Sequence, residues 1–321
     1  MSEKLLEVQC LKKYFKTPGG MLHAVDDISF SINEGETLGV VGESGCGKST
    51  LGRVILGLHS ATDGKIIFNG KEVTHAKKKE RHELRKDMQI IFQDPYASLD
   101  PRMTVSEIIA EPLRIYKECG SKQELDKRVS ELMDTVGLAS RLANSYPHEL
   151  DGGRRQRIGV ARALALDPKF IVCDEPVSAL DVSIQAQILN LLSDLQEEKG
   201  LTYIFITHDL SVVKHISDNI MVMYLGCMVE KTSGEELFEN QLHPYTKGLL
   251  SAIPIPVYGL KKERVLLQGE ITSPVNPKPG CRFASRCIYA TEKCRQCQPE
   301  LEEVLPGHVV ACHNVREING L

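Results

Sequence analysis

A glycine-rich segment of this chain carries the residue types that bind phosphate groups. Residues 42–49 read Gly-Glu-Ser-Gly-Cys-Gly-Lys-Ser and stand between an apolar run at 37–41 and a helix-like stretch at 50–58. Glycine lets the backbone bend tightly, so amide N–H groups at the start of the following helix can surround phosphate oxygens. In this pattern Lys48 reaches the β- and γ-phosphates, and the Ser49 hydroxyl binds Mg²⁺. The segment predicts a nucleoside triphosphate site formed by Gly42, Ser44, Gly45, Cys46, Gly47, Lys48, Ser49 and Thr50.

Three further apolar runs end at polar side chains that suit this chemistry. They occupy residues 88–92, 170–173 and 203–207, and they are followed by Gln93, by Asp174 and Glu175, and by His208. Continuous apolar runs of this length are typical of strands covered on both faces of a sheet. Ligands of open α/β sheets bind beyond the carboxyl ends of the strands. We therefore expect an α/β fold with a parallel sheet, in which these side chains share one site with the glycine-rich segment.

Each of these side chains suits a part of phosphoryl transfer. Asp174 can hold Mg²⁺ through water, and Glu175 can orient or deprotonate the attacking water. Gln93 can contact both the metal and the γ-phosphate, while His208 can hydrogen-bond the γ-phosphate and link it to the water. The sequence predicts Glu175, His208 and Gln93 as the catalytic set, and Ser49, Gln93 and Asp174 as the magnesium set.

A second pair of glycines lies within Leu150-Asp151-Gly152-Gly153-Arg154, ahead of a stretch with apolar residues at helical spacing. The order of residues predicts a second helix start that binds an anion. An ordinary helix cap explains the same residues.

Together these motifs resemble the nucleotide-binding domain of ABC transporters over about residues 5–255. The resemblance implies a P-loop, RecA-like core with a parallel sheet, an N-terminal antiparallel β subdomain and a helical subdomain at about 94–165. It is carried by the phosphate loop, Gln93, the glycine pair after Leu150, Asp174-Glu175, Ser178-Ala179-Leu180-Asp181 and His208.

The resemblance also implies a site made by two copies of the domain. Each ATP is held between one copy's phosphate loop and the L-S-G-G-Q helix start of the other, which faces it head to tail. Phe15 matches the aromatic residue that stacks on adenine, although the adjacent Tyr14 competes for that role. The other nucleotide contacts implied are Asp151, Gly152, Gly153 and Asp181.

This chain departs from the L-S-G-G-Q pattern at two positions, because Asp151 replaces the serine and Arg154 replaces the glutamine. Asp151 should cap its own helix well. If Asp151 faces an anion, however, the two like charges repel each other. At a separation of about 4 Å and an effective dielectric constant near 20 this costs about 4 kcal/mol, and Arg154 offsets part of the cost. The hypothesis is that the site completed by Asp151 is weak, whereas this chain's own phosphate loop works in a site that a partner completes.

The last part of the chain resembles the C-terminal extension of oligopeptide and dipeptide importer ATPases, in His243-Pro244-Tyr245-Thr246 and in residues 281–287, Cys-Arg-Phe-Ala-Ser-Arg-Cys. Residues 42–53 and 94–102 resemble the F-type of the two paired ATPase subunits. The resemblance implies as partners a D-type ATPase subunit, two transmembrane permease subunits and an extracytoplasmic peptide-binding protein. The expected division is an ABC domain at 1–255 and a small irregular extension at 256–321, with a boundary near 253–258.

Half of the ten cysteines lie in this extension, at 281, 287, 294, 297 and 312. The spacing provides enough thiols for a tetrahedral Zn²⁺ or a four-cysteine iron-sulfur cluster, and a set of reduced cysteines without a ligand also fits. A small proline-rich extension has little core of its own, so a structural metal is physically reasonable. The family resemblance favours a [4Fe-4S] cluster on Cys281, Cys287, Cys294 and Cys312. His308 and His313 keep Zn²⁺ open as the alternative.

Residues between Gln93 and Leu150 predict a helical insertion. Ser121 and Glu124 form a capping-box pattern, and one face of the following helix is apolar, with Leu125, Val129, Leu132, Met133 and Val136. The family resemblance implies that a groove near residues 94–101 receives a helix of the membrane subunits.

Composition narrows the class of protein. The net charge of -4 gives no broad basic surface for nucleic acid. No apolar run reaches about 18 residues and the N-terminus lacks the apolar centre of a signal peptide, so we expect a cytoplasmic protein. The family resemblance implies that it is peripheral to the cytoplasmic face of the cell membrane. The expected function is an ATPase that energises peptide import. The alternative is a regulatory subunit that senses nucleotide and redox state.

Overall fold

The computed structural model describes residues 4–252 and 273–321, together with residues 267 and 269. Twelve strands occur among these residues, and they form two sheets. The strands are β1 (Lys4–Thr17), β2 (Gly20–Asn33), β3 (Thr37–Val41), β4 (Asp63–Phe68), β5 (Lys71–Glu72), β6 (Met88–Ile91), β7 (Phe170–Asp174), β8 (Thr202–Ile206), β9 (Asn219–Tyr224), β10 (Cys227–Ser233), β11 (Glu302–Leu305) and β12 (His308–Val310).

Eleven α-helices pack around the sheets in the described part of the chain, with two 3₁₀ turns at Ser140–Leu142 and Pro147–Glu149. None of these helices is long and apolar enough to cross a membrane. The helices are α1 (Lys48–Ile55), α2 (Lys78–Asp87), α3 (Val105–Tyr116), α4 (Lys122–Thr135), α5 (Gly152–Leu164), α6 (Val182–Lys199), α7 (Leu210–Ile216), α8 (Gly234–Glu239), α9 (Pro244–Ser251), α10 (Glu292–Gln296) and α11 (Val315–Asn319).

The larger sheet holds eight strands in the order β11-β12-β10-β9-β3-β8-β7-β6. Strands β9, β3, β8, β7 and β6 run parallel, whereas β10, β12 and β11 continue the sheet in antiparallel pairs. The four apolar runs predicted as strands are β3, β6, β7 and β8, which are neighbours in this sheet. The predicted α/β fold with a parallel sheet is confirmed.

The central strands are buried on both faces because alternate residues enter different cores. In β7, Phe170 and Val172 join the core shared with the smaller sheet, while Ile171 and Cys173 join the core shared with the helical region. Every residue of β3, β7 and β8 is buried. A strand in this position requires an uninterrupted apolar run, which is the pattern that the sequence contains.

The smaller sheet is antiparallel, with the order β2-β1-β4-β5. Leu6, Val8 and Leu11 of β1 lie in one core with Leu51 and Ile55 of α1. The antiparallel β subdomain implied by the family resemblance is confirmed, and its packing on α1 supports the helix that follows the phosphate loop.

The helical region between β6 and β7 is formed by α3, α4 and α5. Ser121 caps α4 by accepting a hydrogen bond from the Glu124 N–H at 3.2 Å, but the Glu124 carboxylate accepts from the Gly120 N–H at 2.8 Å. The capping box predicted at Ser121 is thus only half formed, because the carboxylate reaches one residue further back. The bounds 94–165 for a separate subdomain stay a prediction.

The C-terminal extension is built onto the larger sheet. Strand β12 pairs with β10, β11 pairs with β12, and a small core of Leu242, Val304, Val310 and Val315 fills the junction. The segment expected to be irregular therefore contains regular elements, α10, β11, β12 and α11. The boundary predicted near residues 253–258 lies outside the described residues.

Glu230 is a fully buried carboxylate at this junction. It accepts hydrogen bonds from the backbone N–H groups of Leu242 (2.7 Å) and His243 (3.2 Å), and its Oε1 lies 2.7 Å from Nε2 of His308. A charge out of contact with water is stable only with such partners. These contacts tie β10, β12 and the start of α9 together.

We predict that His243 makes the protein lose stability in mild acid. Burial lowers the pKa of this imidazole to about 4, below the value of 6.5 for an unperturbed histidine. The unfolded chain therefore binds a proton in the window where the folded protein does not, and stability is lost as the pH falls from 6.5 toward 4. From about pH 7 to pH 5, this group should lower the free energy of unfolding by about 2 kcal/mol.

Urea unfolding of a His243→Asn variant measures this contribution. Asparagine keeps an acceptor near the Tyr245 N–H, which lies 3.1 Å from Nδ1 of His243, but it does not titrate. The free energy of unfolding should then depend less on pH than in the wild type. The matched control is His215→Asn, at an exposed position near the end of α7. Equal pH slopes for the His243 variant and the wild type would contradict the prediction.

Candidate nucleotide-binding site

The phosphate loop runs between β3 and α1, and its shape depends on close contact with two strands. Gly47 has a φ of 107°, and a Cβ atom there would lie 1.9 Å from the carbonyl oxygen of Ala24 in β2. At Gly42 a Cβ atom would lie 2.2 Å from the carbonyl oxygen of Met223 in β9. A side chain at either position would push the loop away from these strands.

The start of α1 is suited to bind an anion. Gly47 is its N-cap residue and provides no side-chain hydrogen bond to the first N–H groups of the helix. The side chain of Lys48 is buried, and its Nζ donates to the carbonyl oxygens of Gly42 (2.8 Å) and Glu43 (3.1 Å). Uncapped N–H groups, the positive helix end and an ammonium group inside the loop together favour phosphate.

Ser49 and Asp174 meet although they are distant in the sequence. The Ser49 hydroxyl donates to Oδ1 of Asp174 at 2.6 Å, and Nη2 of Arg53 lies 3.3 Å from Oδ2. Asp174 is 1% exposed at the end of β7. A hydroxyl and a carboxylate are oxygen ligands of the kind that Mg²⁺ prefers. The residues present therefore fit a magnesium ion next to the phosphate loop.

Glu175 lies where the carboxyl ends of β6, β7 and β8 approach one another. Its Oε2 accepts a hydrogen bond from Nε2 of Gln93 at 3.0 Å and lies 3.3 Å from Nδ1 of His208. Its backbone has a φ of 48°, and its N–H donates to the carbonyl oxygen of Ile206 at 2.9 Å. Positive φ is uncommon outside glycine, and such strain is concentrated at functional sites. The arrangement can place a base next to water held by an amide and an imidazole.

Tyr14 and Phe15 have different surroundings. The Tyr14 hydroxyl donates to Asp26, and its ring stacks on His23 at 3.9 Å between centroids. The Phe15 ring contacts Nζ of Lys13 at 4.7 Å and the His59 ring at 5.6 Å. Tyr14 is thus engaged within the β1–β2 hairpin, so Phe15 stays the predicted partner of adenine.

The second glycine pair forms a separate group with Asp181. Asp151 caps α5 by accepting from the Arg154 N–H at 2.8 Å, which confirms the predicted cap, and its Oδ2 lies 3.2 Å from Nη1 of Arg154. A Cβ atom at Gly153 would lie 2.6 Å from the Ile184 side chain. Asp181 caps α6 by accepting from the Ile184 N–H at 3.0 Å. These contacts lie between α5 and α6, and none of the described hydrogen bonds or ion pairs joins this group to the phosphate loop.

Four of the five cysteines of the extension line one cavity. Burial raises the pKa of the Cys281 thiol to about 12 and that of Cys312 to about 11. Cys297 is exposed. The cavity is lined by Cys281, Cys287, Cys294 and Cys312, with Phe283 and Tyr289 beside them.

The side chains that line this cavity are not arranged to bind a metal ion. In the part of the chain that the structure describes, no group of three or more His, Cys, Asp or Glu side chains could hold a metal ion. His308 is engaged with Glu230 at 2.7 Å, and Nε2 of His313 lies 3.0 Å from the carbonyl oxygen of Cys297. The expectation of Zn²⁺ with histidine ligands is therefore unsupported, and the expected iron-sulfur cluster gains no support from ligand geometry.

Sequence reasoning missed three residues at the phosphate loop. Arg286 forms an ion pair with Glu43 at 2.8 Å, and the Tyr245 hydroxyl accepts from the Glu43 N–H at 2.9 Å. Arg286 and Tyr245 both lie in segments whose sequence indicated the C-terminal extension but no contact with the nucleotide site. A long-range ion pair has no periodicity, so the sequence offered no signal for it.

The fold and the grouping of Lys48, Ser49, Asp174 and Glu175 define an ATPase of the ABC class. Residues 25–178 match the family model for ABC transporters. The chain is similar to the dimeric ATP-binding cassette MJ0796, solved after hydrolysis with ADP and Pi (TM-score 0.66, 31% identity, 71% of this chain and 98% of that one). It is also similar to cbiO1 from Clostridium perfringens (TM-score 0.66, 29% identity, 74% of this chain and 92% of that one).

A narrower family follows from the C-terminal part and from relatives along the whole chain. Residues 229–294 match the model for the C-terminal region of oligopeptide/dipeptide transporters. The chain is 56% identical to the oligopeptide transport ATP-binding protein OppF of Salmonella typhimurium (95% of this chain, 91% of the relative). It is 49% identical to the dipeptide transport ATP-binding protein DppF of Haemophilus influenzae (97% of each). The chain belongs to the ATP-binding subunits of oligopeptide and dipeptide ABC transporters, and it binds and hydrolyses ATP.

Proposed function

We propose that this chain couples ATP hydrolysis to the import of di- and oligopeptides across a membrane. Its relatives carry names of oligopeptide and dipeptide transport proteins. In this proposal it lies at the cytoplasmic face of the membrane with a second, D-type ATPase subunit, two transmembrane permease subunits and an extracytoplasmic peptide-binding protein. The observation that supports ATP binding and hydrolysis in this proposal is the 2.6 Å hydrogen bond between Ser49 and Asp174, which joins the phosphate loop to the end of β7.

The proposed roles follow from the contacts of each side chain. The N–H groups of the loop and the Lys48 ammonium bind the β- and γ-phosphates, while Ser49 and Asp174 hold Mg²⁺. Bound Mg²⁺ neutralises charge that develops on the phosphates. Glu175 accepts a proton from the attacking water, and Gln93 and His208, both within 3.3 Å of its carboxylate, orient that water.

The helical region, taken as residues 94–165, is proposed to transmit this chemistry to the membrane subunits. Its groove segment is anchored to α5, since Nη1 of Arg162 donates to the Ser98 carbonyl at 2.6 Å. Tyr96 is 57% exposed, and the Arg155 guanidinium lies 5.1 Å from the centre of its ring. An exposed aromatic ring next to a cation is a surface suited to contact another protein.

The presence of Asp151 supports the inference that the two ATP sites of the proposed pair of ATPase subunits differ. A serine hydroxyl can donate a hydrogen bond to a γ-phosphate, whereas an ionised carboxylate can only accept one. The ion pair with Arg154 at 3.2 Å compensates part of the negative charge of Asp151 but supplies no donor from that side chain. We therefore propose that the site completed by Asp151 binds and hydrolyses ATP weakly, and that turnover occurs at this chain's own phosphate loop.

Purification of the chain with its membrane subunits tests the transport function. In a complex reconstituted in lipid, peptide-loaded binding protein should raise ATP turnover, and the same complex with Lys48→Ala should show little turnover under either condition. Turnover that is unchanged by the binding protein, with or without peptide, would contradict the proposal.

We propose a [4Fe-4S] cluster on Cys281, Cys287, Cys294 and Cys312, on the basis of the family resemblance and of the cavity that these four residues line. Four cysteine thiolates are the usual ligands of such a cluster. We predict about four iron atoms and about four labile sulfides per chain after anaerobic purification, and a Cys287→Ser variant with less iron. Colourless wild-type protein without iron would contradict the prediction.

A further inference from the structure

One loop of the extension contacts the phosphate loop directly. The Arg286 guanidinium forms two hydrogen bonds with the Glu43 carboxylate, from Nη1 to Oε2 at 2.8 Å and from Nη2 to Oε1 at 3.1 Å. The Arg286 side chain is 7% exposed and that of Glu43 is 22% exposed. A paired, planar contact of this kind fixes orientation as well as distance, and partial burial protects it from screening by salt.

A second contact reaches the backbone of the same residue. The Tyr245 hydroxyl, from α9, accepts from the Glu43 N–H at 2.9 Å. Tyr245 is fully buried, and its ring packs on Phe283 at 5.5 Å between centroids. Both the side chain and the backbone of Glu43 are thus held by segments that lie far from it in the sequence.

The same extension loop also reaches β2. Arg282 forms an ion pair with Asp26, and both side chains are largely buried. Burial opposes ionisation of Asp26, but hydrogen bonds from Tyr14 and His23 and the charge of Arg282 together hold the pKa of its carboxyl below the usual value. Strand β2 also carries Ala24, whose carbonyl oxygen approaches Gly47. Arg282 and Arg286 therefore hold two neighbouring parts of the nucleotide site.

Glu43 connects the extension to the residue that reaches the phosphates. Its carbonyl oxygen accepts a hydrogen bond from Nζ of Lys48 at 3.1 Å. A loop rich in glycine has many accessible conformations, so contacts from outside must select the one that binds phosphate. The Arg286–Glu43 pair supplies such a contact and lies next to the ammonium group.

We propose that Arg286 is a positioning residue of the ATP site, which acts through Glu43 to hold the phosphate loop in its binding conformation. The proposal rests on the ATP site described above and assigns part of its affinity to the C-terminal extension. Loss of the Arg286–Glu43 ion pair should weaken ATP binding. Without it the phosphate loop is less ordered before ATP binds, so ordering the loop consumes part of the binding free energy. The rate of the chemical step should change little, since Arg286 contacts none of the side chains around Glu175 in the described hydrogen bonds and ion pairs.

Calorimetric titration of the full-length chain with ATP and Mg²⁺ tests this role. Arg286→Gln and Glu43→Gln should each raise the Kd for ATP by about tenfold, a usual size for coupling between sites. The double variant should bind no more weakly than either single variant, because both remove one interaction. Arg286→Lys, which keeps the charge but not the paired geometry, should give an intermediate Kd. In the transporter, KM for ATP should rise while kcat changes less than twofold, or about 0.4 kcal/mol.

Two control variants distinguish the positioning role of Arg286 from the existence of the ATP site. Arg295→Gln removes an exposed arginine of the same extension, which pairs only loosely with Glu292 at 3.9 Å, and should leave the Kd unchanged. Lys48→Ala should abolish binding. If Lys48→Ala binds ATP normally, the nucleotide site is wrong. If Lys48→Ala fails to bind while Arg286→Gln keeps the wild-type Kd, the positioning role is overturned, even where the variant melts at a lower temperature. Should Arg286→Gln not fold, Glu43→Gln decides by the same criterion.

Discussion

Replacement of Glu175 by glutamine should lower ATP turnover in the complex with the proposed second ATPase subunit by roughly 100- to 10,000-fold, the usual contribution of a general base. Glutamine keeps the size of the side chain and can still contact Gln93 and His208, which lie 3.0 Å and 3.3 Å from the carboxylate. It cannot accept a proton from water. ATP binding should persist because the phosphate loop is unchanged.

The partner subunit provides the matched comparison for this prediction. Because the site completed by Asp151 is proposed to be weak, changing the equivalent glutamate of the partner should leave most of the turnover. Glu197→Gln, at an exposed position near the end of α6, controls for the loss of one negative charge and should have no effect. Near-full turnover with Glu175→Gln would refute both the role of Glu175 and the asymmetry.

Gly47→Ala should weaken ATP binding by roughly 100-fold, or about 3 kcal/mol. Alanine is strained at the φ of 107° found there, and its Cβ atom would lie 1.9 Å from the Ala24 carbonyl oxygen. This neighbour is backbone of β2 and cannot rotate away, so the loop itself must shift. Overpacking and a positive φ each cost about 1–3 kcal/mol, and here the cost falls on the phosphate contacts.

Gly159→Ala is the matched control for this variant. Gly159 lies within α5, and a Cβ atom there would have no neighbour within 4 Å. Alanine should stabilise the helix by about 0.5–1 kcal/mol and leave the Kd for ATP unchanged. Calorimetric titration of both variants measures the difference. A Kd for Gly47→Ala within threefold of the wild type would contradict the prediction.

The parts of the site that could be predicted from the sequence are those fixed by local order along the chain. Asp174 and Glu175 follow a fully apolar run, and in a parallel sheet the carboxyl ends of such runs lie on one edge. Asp151 was predictable as a cap because capping joins residues only three apart, here at 2.8 Å. These relations require no knowledge of tertiary structure.

Other features depend on tertiary contacts that leave no pattern in the sequence. Arg286 and Glu43 are 243 positions apart, and a single ion pair has no period or spacing. The extension looked irregular because β11 and β12 are short and their pairing partner, β10, belongs to the core sheet. Cysteine spacing indicated that thiols could gather, but whether they stand close enough for a metal ion depends on the folded loop.

ATP hydrolysis at this site requires that the phosphate loop and the end of β7 bind the same Mg²⁺–ATP. Calorimetric titration with ATP, with and without Mg²⁺, of the wild type, Ser49→Ala, Asp174→Asn and the double variant tests it directly. We predict that each single variant loses most of the gain in affinity that Mg²⁺ gives the wild type, and that the double variant loses no more, because both residues act on one ion. Independent, additive losses, or a full Mg²⁺ effect in Asp174→Asn, would contradict the binding of one shared Mg²⁺–ATP.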